Sequence, residues 1–190
     1  MLTLEWEEQG LNEKQARAAG VAYDKVVTYS ASHASYYPGA RNMTVKTLFD
    51  PASGRILGAQ IVGFDGVDKR MDVLAAAIRA GLTAEQLTEL DLAYAPPYGS
   101  AKDPVNMAGY VIENVRAGLV EQHHWDAVAE LPADGSVILL DVRTPGEVRK
   151  QGLLRSDALH IPLDELRGRL GELDKGKKIY VNCYSGLRSY

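Results

Sequence analysis

Residues 43–63 read MTVKTLFDPASGRILGAQIVG. Two runs rich in β-branched and aliphatic residues flank Asp50-Pro51-Ala52-Ser53-Gly54, whose proline and glycine supply turn dihedrals. A β-hairpin is expected here, and it sets the reading of its surroundings. Upstream, YDKVVTYSASHASYYPGA (23–40) alternates partly and is rich in β-formers, so it reads as a strand running into a Pro-Gly turn. LNEKQARAAG (11–20) reads as a short helix or turn stopped by Gly20. Downstream, VDKRMDVLAAAIRAGLT (67–83) places Met71, Leu74, Ala75, Ile78 and Leu82 on one helical face. Thr83 with Gln86 forms a capping-box pattern that opens AEQLTEL. DLAYAPPYGSAKDP (91–104) cannot be regular, because Pro96 and Pro97 remove two donors and fix the backbone. Val105, Ala108, Ile112, Val115 and Leu119 then mark another helix face. Strand, hairpin, then helices predict an α+β domain whose antiparallel sheet is covered by amphipathic helices.

The pattern changes near EQHHWDAVAELPADGS (121–136). SVILLDVR (136–143) is short and almost wholly apolar, as expected of a parallel strand buried on both sides. ALHIPL, then DELRGRLGEL with Leu166, Leu170 and Leu173 at helical spacing, then the strand-like KKIYVNC follow. Alternating strand and helix imply a parallel α/β sheet. The boundary falls between Leu119 and Asp134, which gives domains of residues 1–120 and 121–190.

With 46% hydrophobic and 24% charged residues, the composition is that of a globular chain. A net charge of −4 argues against a broad nucleic-acid surface. No apolar run is long enough to span a membrane, and MLTLEWEEQG is too acidic for a signal peptide. A single cysteine cannot form an internal disulfide and suggests a reducing, cytoplasmic setting. His123–His124 lacks the spaced partners of a zinc site, so no metal is expected. Asp50 and Gly54 are read as turn residues.

That cysteine, Cys183, ends the last strand and is followed by YSGLRS. In α/β sheets ligands bind just beyond the carboxyl ends of strands, and such a loop can turn several N–H groups inward to cradle an anion. Gly186 permits the necessary dihedrals, Arg188 adds positive charge, and Ser185 and Ser189 add donors. A thiolate there would have a lowered pKa and be nucleophilic near neutral pH. The residues alone leave open the alternative of a buried structural thiol.

CYSGLRS resembles the active-site loop of the rhodanese (sulfurtransferase) family, cysteine–x–x–glycine–x–arginine. LLDVRTPGEV, with Asp141 to Arg143, resembles the family's early strand, and ALHIPLDELRGRL resembles its middle segment, with His160 where asparagine is more usual. The likeness covers roughly residues 125–190. It implies that Cys183 carries sulfur as a persulfide, held by loop N–H groups, and passes it to a thiol. Dual-specificity phosphatases use a similar loop but with five residues between cysteine and arginine. Four here favour sulfur over phosphate. The family continues with a helix after the loop, whereas this sequence stops at Tyr190, so the domain is expected to be truncated.

Tyrosines also cluster, in ASYYPG and in AYAPPYGSAKDPVNMAGY. Phenols on a stiff loop can donate hydrogen bonds to a reacting group, and packing is the alternative. HASYYPGA, GVDKRMDVL and AYAPPYGSAKDPVNMAGY resemble, in order, the C-terminal dimerisation domain of coenzyme A–disulfide reductases, flavin-dependent members of the pyridine nucleotide–disulfide reductases. This likeness covers about residues 10–118. It implies a homodimer interface whose tyrosines reach the partner subunit's active site beside the substrate sulfur. The role passes by motif to Tyr36 and Tyr94, with Tyr37 and Tyr98 as alternates. Lys69 and Arg70 are expected to meet coenzyme A phosphates, or else to start a solvated helix.

Some members of that family carry a C-terminal rhodanese domain. The chain thus resembles the C-terminal piece of an FAD- and NAD(P)H-dependent coenzyme A disulfide, persulfide or polysulfide reductase fused to a sulfurtransferase. No glycine-rich dinucleotide fingerprint is present, so FAD, NAD(P)H and coenzyme A are expected to belong to the full-length parent and no cofactor to be bound by this chain alone. An autonomous sulfurtransferase and a non-catalytic dimerisation module are the alternatives.

Overall fold

The computed structural model describes residues 3–190, which form two compact units divided between Val120 and Glu121. The first contains β1 (Glu5–Gly10), α1 (Glu13–Ala18), β2 (Asp24–Ala31), β3 (Asn42–Phe49), β4 (Ile56–Gly63), α2 (Val67–Ala80), α3 (Ala84–Thr88) and α4 (Pro104–Arg116). Its strands form one antiparallel sheet in the order β1-β4-β3-β2.

The β3–β4 hairpin forms as expected. Asp50 accepts hydrogen bonds from the N–H groups of Ala52 (2.8 Å) and Ser53 (3.0 Å), and Gly54 takes φ = +75°. The Arg116 guanidinium, at the end of α4, donates to the carbonyls of Pro51 (3.3 Å) and Ala52 (3.0 Å). A Cβ on Gly54 would displace the Arg116 guanidinium, 2.4 Å away, and the positive φ itself favours glycine there.

One sheet face is apolar: Val26, Met43, Val45, Ala59 and Ile61 pack against Met71, Leu74, Ala77, Val105 and Ile112 of the helices. The capping boxes at Thr83 and Asp103 hold the starts of α3 and α4. Leu119, read as part of the α4 face, lies beyond the end of that helix and is exposed. The strand β1 has no counterpart in the sequence reading. EWEEQG carries three glutamates and pairs at the sheet edge with β4, so its pairing leaves little apolar signature.

The second unit contains a 3-10 turn (Trp125–Glu130), β5 (Val137–Asp141), α5 (Pro145–Gln151), β6 (Leu159–His160), α6 (Leu163–Arg169) and β7 (Lys178–Asn182). Its sheet runs β6-β5-β7, parallel throughout. Leu140, Val142 and Ile161 form its core, with Leu166 and Leu173 packed against it and Leu170 left exposed. β5 is the central strand, and its last three residues are buried.

Candidate functional site

β7 ends at Asn182, and Cys183 opens the loop beyond the carboxyl edge of the parallel sheet. The Gly186 N–H donates to Cys183 Sγ at 3.1 Å and the Ser189 hydroxyl at 3.5 Å. Gly186 has φ = +86°, the left-handed conformation that a loop curling back on its own sulfur requires. Partial burial works against the thiolate. The Ser189 hydroxyl and the N–H groups of Ser185, Ser189 and Arg188 outweigh it and bring the Cys183 pKa below its ordinary value. Cys183 is half-buried and packs against the apolar core.

Arg188 does not point its charge at the sulfur alone. Its two Nη groups donate to the two carboxylate oxygens of Glu147, at 2.7 and 2.9 Å. Glu147 is the third residue of α5, where it also accepts from Thr144 N–H (2.8 Å) and Thr144 Oγ1 (2.9 Å). The Arg188 guanidinium and the Thr144 donors hold the Glu147 pKa at about 2. Sequence reading gave Glu147 no role, because its partner Arg188 lies 41 positions away. Beneath the loop Arg143 is forked onto Asp141, with contacts of 2.6–3.1 Å, and fixes the turn after β5 through Gly152 O (2.7 Å). His160 reaches the Arg143 carbonyl at 2.8 Å.

In the first unit, two loops meet. Ala34 N–H donates to Gly99 O (3.0 Å), tying the loop after β2 to the proline-rich segment. The Tyr36 and Tyr94 hydroxyls lie 3.3 Å apart, on side chains that are 76% and 49% exposed. Their hydrogen bond holds the Tyr94 phenol above its ordinary pKa. Tyr37 instead packs edge-on to His33, with centroids 6.0 Å apart. The buried His33 donates through Nε2 to Pro38 O (3.2 Å) and closes the base of the Tyr36 loop. Tyr98 is exposed, and its carbonyl faces Lys69 Nζ at 3.4 Å.

Arg70, expected with Lys69 to meet a phosphate, is held in the interior by its own partners. It is 2% exposed and donates to the Asp103 carboxylate (3.0–3.1 Å), to Gly66 O (3.1 Å) and to Ser32 O (2.7 Å). It thereby joins the start of the Tyr36 loop to the N-cap that ends the Tyr94 segment. Lys69, half-buried, keeps its ammonium at the surface. A cleft of about 220 Å³ is lined by Lys69, Arg70, Val73, Leu92, Ala93 and Asp103.

An antiparallel sheet with paired phenols, followed by a parallel sheet with a cradled thiol, defines a disulfide-reductase interface domain joined to a rhodanese-like domain. The chain belongs to the family described as pyridine nucleotide-disulphide oxidoreductase, dimerisation domain, matched over residues 4–104, and its residues 124–190 match the rhodanese-like domain. It is similar to the coenzyme A disulfide reductase of Staphylococcus haemolyticus, 49% identical over 88 residues, which are 46% of this chain and 20% of that protein. Among solved structures, the reduced Bacillus anthracis CoADR-RHD superposes with a TM-score of 0.93 at 47% identity, over 98% of this chain and 33% of the other. The NAD-dependent persulfide reductase from A. fulgidus gives a TM-score of 0.84 at 40% identity, over 98% of this chain and 32% of that one. The chain therefore spans a fifth to a third of the length of these relatives. No helix among the described residues is long and apolar enough to cross a membrane.

Proposed function

We propose that the chain is the C-terminal part of a homodimeric, cytoplasmic reductase that uses FAD and NAD(P)H to reduce sulfur–sulfur bonds of coenzyme A disulfides, persulfides or polysulfides. The observation that carries this reading is Cys183, a thiol with lowered pKa held by loop N–H groups at the end of a parallel strand. The similarity to a coenzyme A disulfide reductase and to a persulfide reductase supports the substrate class.

In the loading step, the Cys183 thiolate attacks the outer sulfur of a persulfide R–S–SH. The bond between the two sulfurs breaks, R–SH leaves with the proton, and Cys183 holds the sulfur as a persulfide anion. The N–H groups of the loop, with Gly186 and Ser185 among them, and the Ser189 hydroxyl stabilise that anion. In delivery, a coenzyme A thiolate attacks the outer sulfur, and Cys183 departs as the thiolate it was. FAD and NAD(P)H supply the two electrons for the later reduction, and no residue of this chain is assigned to hold them.

Tyr36 and Tyr94 serve the partner subunit's site, where their hydroxyls donate to a thiolate leaving the substrate. Tyr37 and Tyr98 shape the surroundings, and Lys69 meets a phosphate of coenzyme A. The test uses the full-length reductase. Sulfur transfer from an organic persulfide to coenzyme A should be lost in Cys183→Ser; transfer at the unaltered rate would refute the relay.

A further inference from the structure

Four ionised side chains surround the Cys183 loop, and their charges cancel. Arg188 is forked onto Glu147, and Arg143 is forked onto Asp141. Arg188 is the one charged side chain among residues 183–190. The Arg188 guanidinium interacts with the Cys183 sulfur as well as with Glu147, so beside the sulfur its positive charge is offset by the Glu147 carboxylate, and the loop N–H groups supply the remaining field toward an incoming donor. The rim of the same loop is apolar: Tyr184 is 63% and Leu187 79% exposed.

We infer that Glu147 is a specificity-determining residue: by neutralising Arg188 it makes the Cys183 loop disfavour dianionic sulfur donors such as thiosulfate and favour organic persulfides of low charge. The inference rests on the sulfur-relay reading above and adds the donor class. Both donors give the same product. Thiosulfate loads Cys183 when the thiolate attacks its outer sulfur, the sulfur–sulfur bond breaks and sulfite leaves with the electron pair. An organic persulfide loads it with loss of R–SH. The difference is charge: a dianion approaching a thiolate is repelled unless a cation is free to offset it.

The substitution that isolates this charge is Glu147→Gln. Glutamine keeps the capping-box hydrogen bonds to Thr144 and the start of α5. It leaves Arg188 with its full charge beside the sulfur. The assay is the rate at which Cys183 gains one sulfur, read by intact mass, with thiosulfate or with 2-hydroxyethyl persulfide as donor. The ratio of the two rates should move roughly tenfold toward thiosulfate in Glu147→Gln, as one uncompensated unit charge acting on a dianion across a solvated gap implies. Independently of any variant, thiosulfate loading of the unaltered protein should speed up as salt is added, because screening relieves repulsion. Thiosulfate loading that slows with salt, or a ratio unmoved by Glu147→Gln while sulfur is still gained, overturns the inference and leaves the relay standing. No sulfur gained from either donor overturns the relay and the inference together.

Discussion

Replacing Arg70 with methionine separates a buried strut from a phosphate ligand. Methionine matches the length of the arginine stem but leaves the Asp103 carboxylate, itself 4% exposed, without its cation. It also strands the carbonyl of Ser32, which receives the 2.7 Å bond. Breaking a buried pair by removing one partner costs about 3–5 kcal/mol. At a few degrees per kcal/mol for a unit of this size, the melting transition of the first unit should fall by on the order of 10–20 °C. Adding Asp103→Asn should recover most of the loss, since asparagine still caps α4 and carries no charge. Calorimetry on the purified chain reads both variants. An unshifted transition in Arg70→Met, accompanied by weakened coenzyme A binding, would refute the strut and restore the phosphate reading.

Three further outcomes follow from the same geometry. Glu13 sits under the sheet, where burial alone would raise its pKa, but hydrogen bonds and charge from Lys46 and Lys25 hold it at about 2. Its stabilising contribution is fully present above pH 4.5 and is lost as pH falls through about 2. Glu13→Gln should therefore lower stability in urea titrations at pH 7, and the difference from the unaltered protein should shrink as pH falls through about 2. In Tyr36→Phe, the Tyr94 phenol loses the hydrogen bond that raises its pKa, so its ultraviolet titration should shift to lower pH; an unmoved titration would mean that the two hydroxyls do not meet. Alkylation of Cys183 should show a midpoint below the ordinary thiol value, and Ser189→Ala should raise it by removing a donor to the sulfur; an unmoved midpoint in the variant would refute that bond.

Local signals in the sequence carried much of the fold, because each element there speaks for itself. The Asp50–Gly54 turn, the Thr83–Gln86 cap and the apolar β5 all follow from residue chemistry that acts over a few positions. β1 escaped notice because an edge strand needs main-chain partners rather than an apolar pattern, and its partner β4 lies some fifty residues away. The structure brings together residues that the sequence named separately: Gly186 N–H meets the Cys183 sulfur, and the Tyr36 and Tyr94 hydroxyls lie 3.3 Å apart. Charge was the poorest guide. Arg70 and Arg188 look alike as cations on paper, yet one is buried against Asp103 and the other is shared with Glu147. Whether a guanidinium is free depends on a carboxylate 33 or 41 positions distant, which no local pattern reveals.

The claim at the centre is that Cys183 stores transferable sulfur. Treating the chain with an organic persulfide, removing the donor and mapping the mass of its peptides tests it directly. The account predicts one added sulfur on the peptide bearing Cys183, released when coenzyme A is supplied. An unmodified Cys183 peptide under the same treatment, or added sulfur that coenzyme A does not remove, would contradict it.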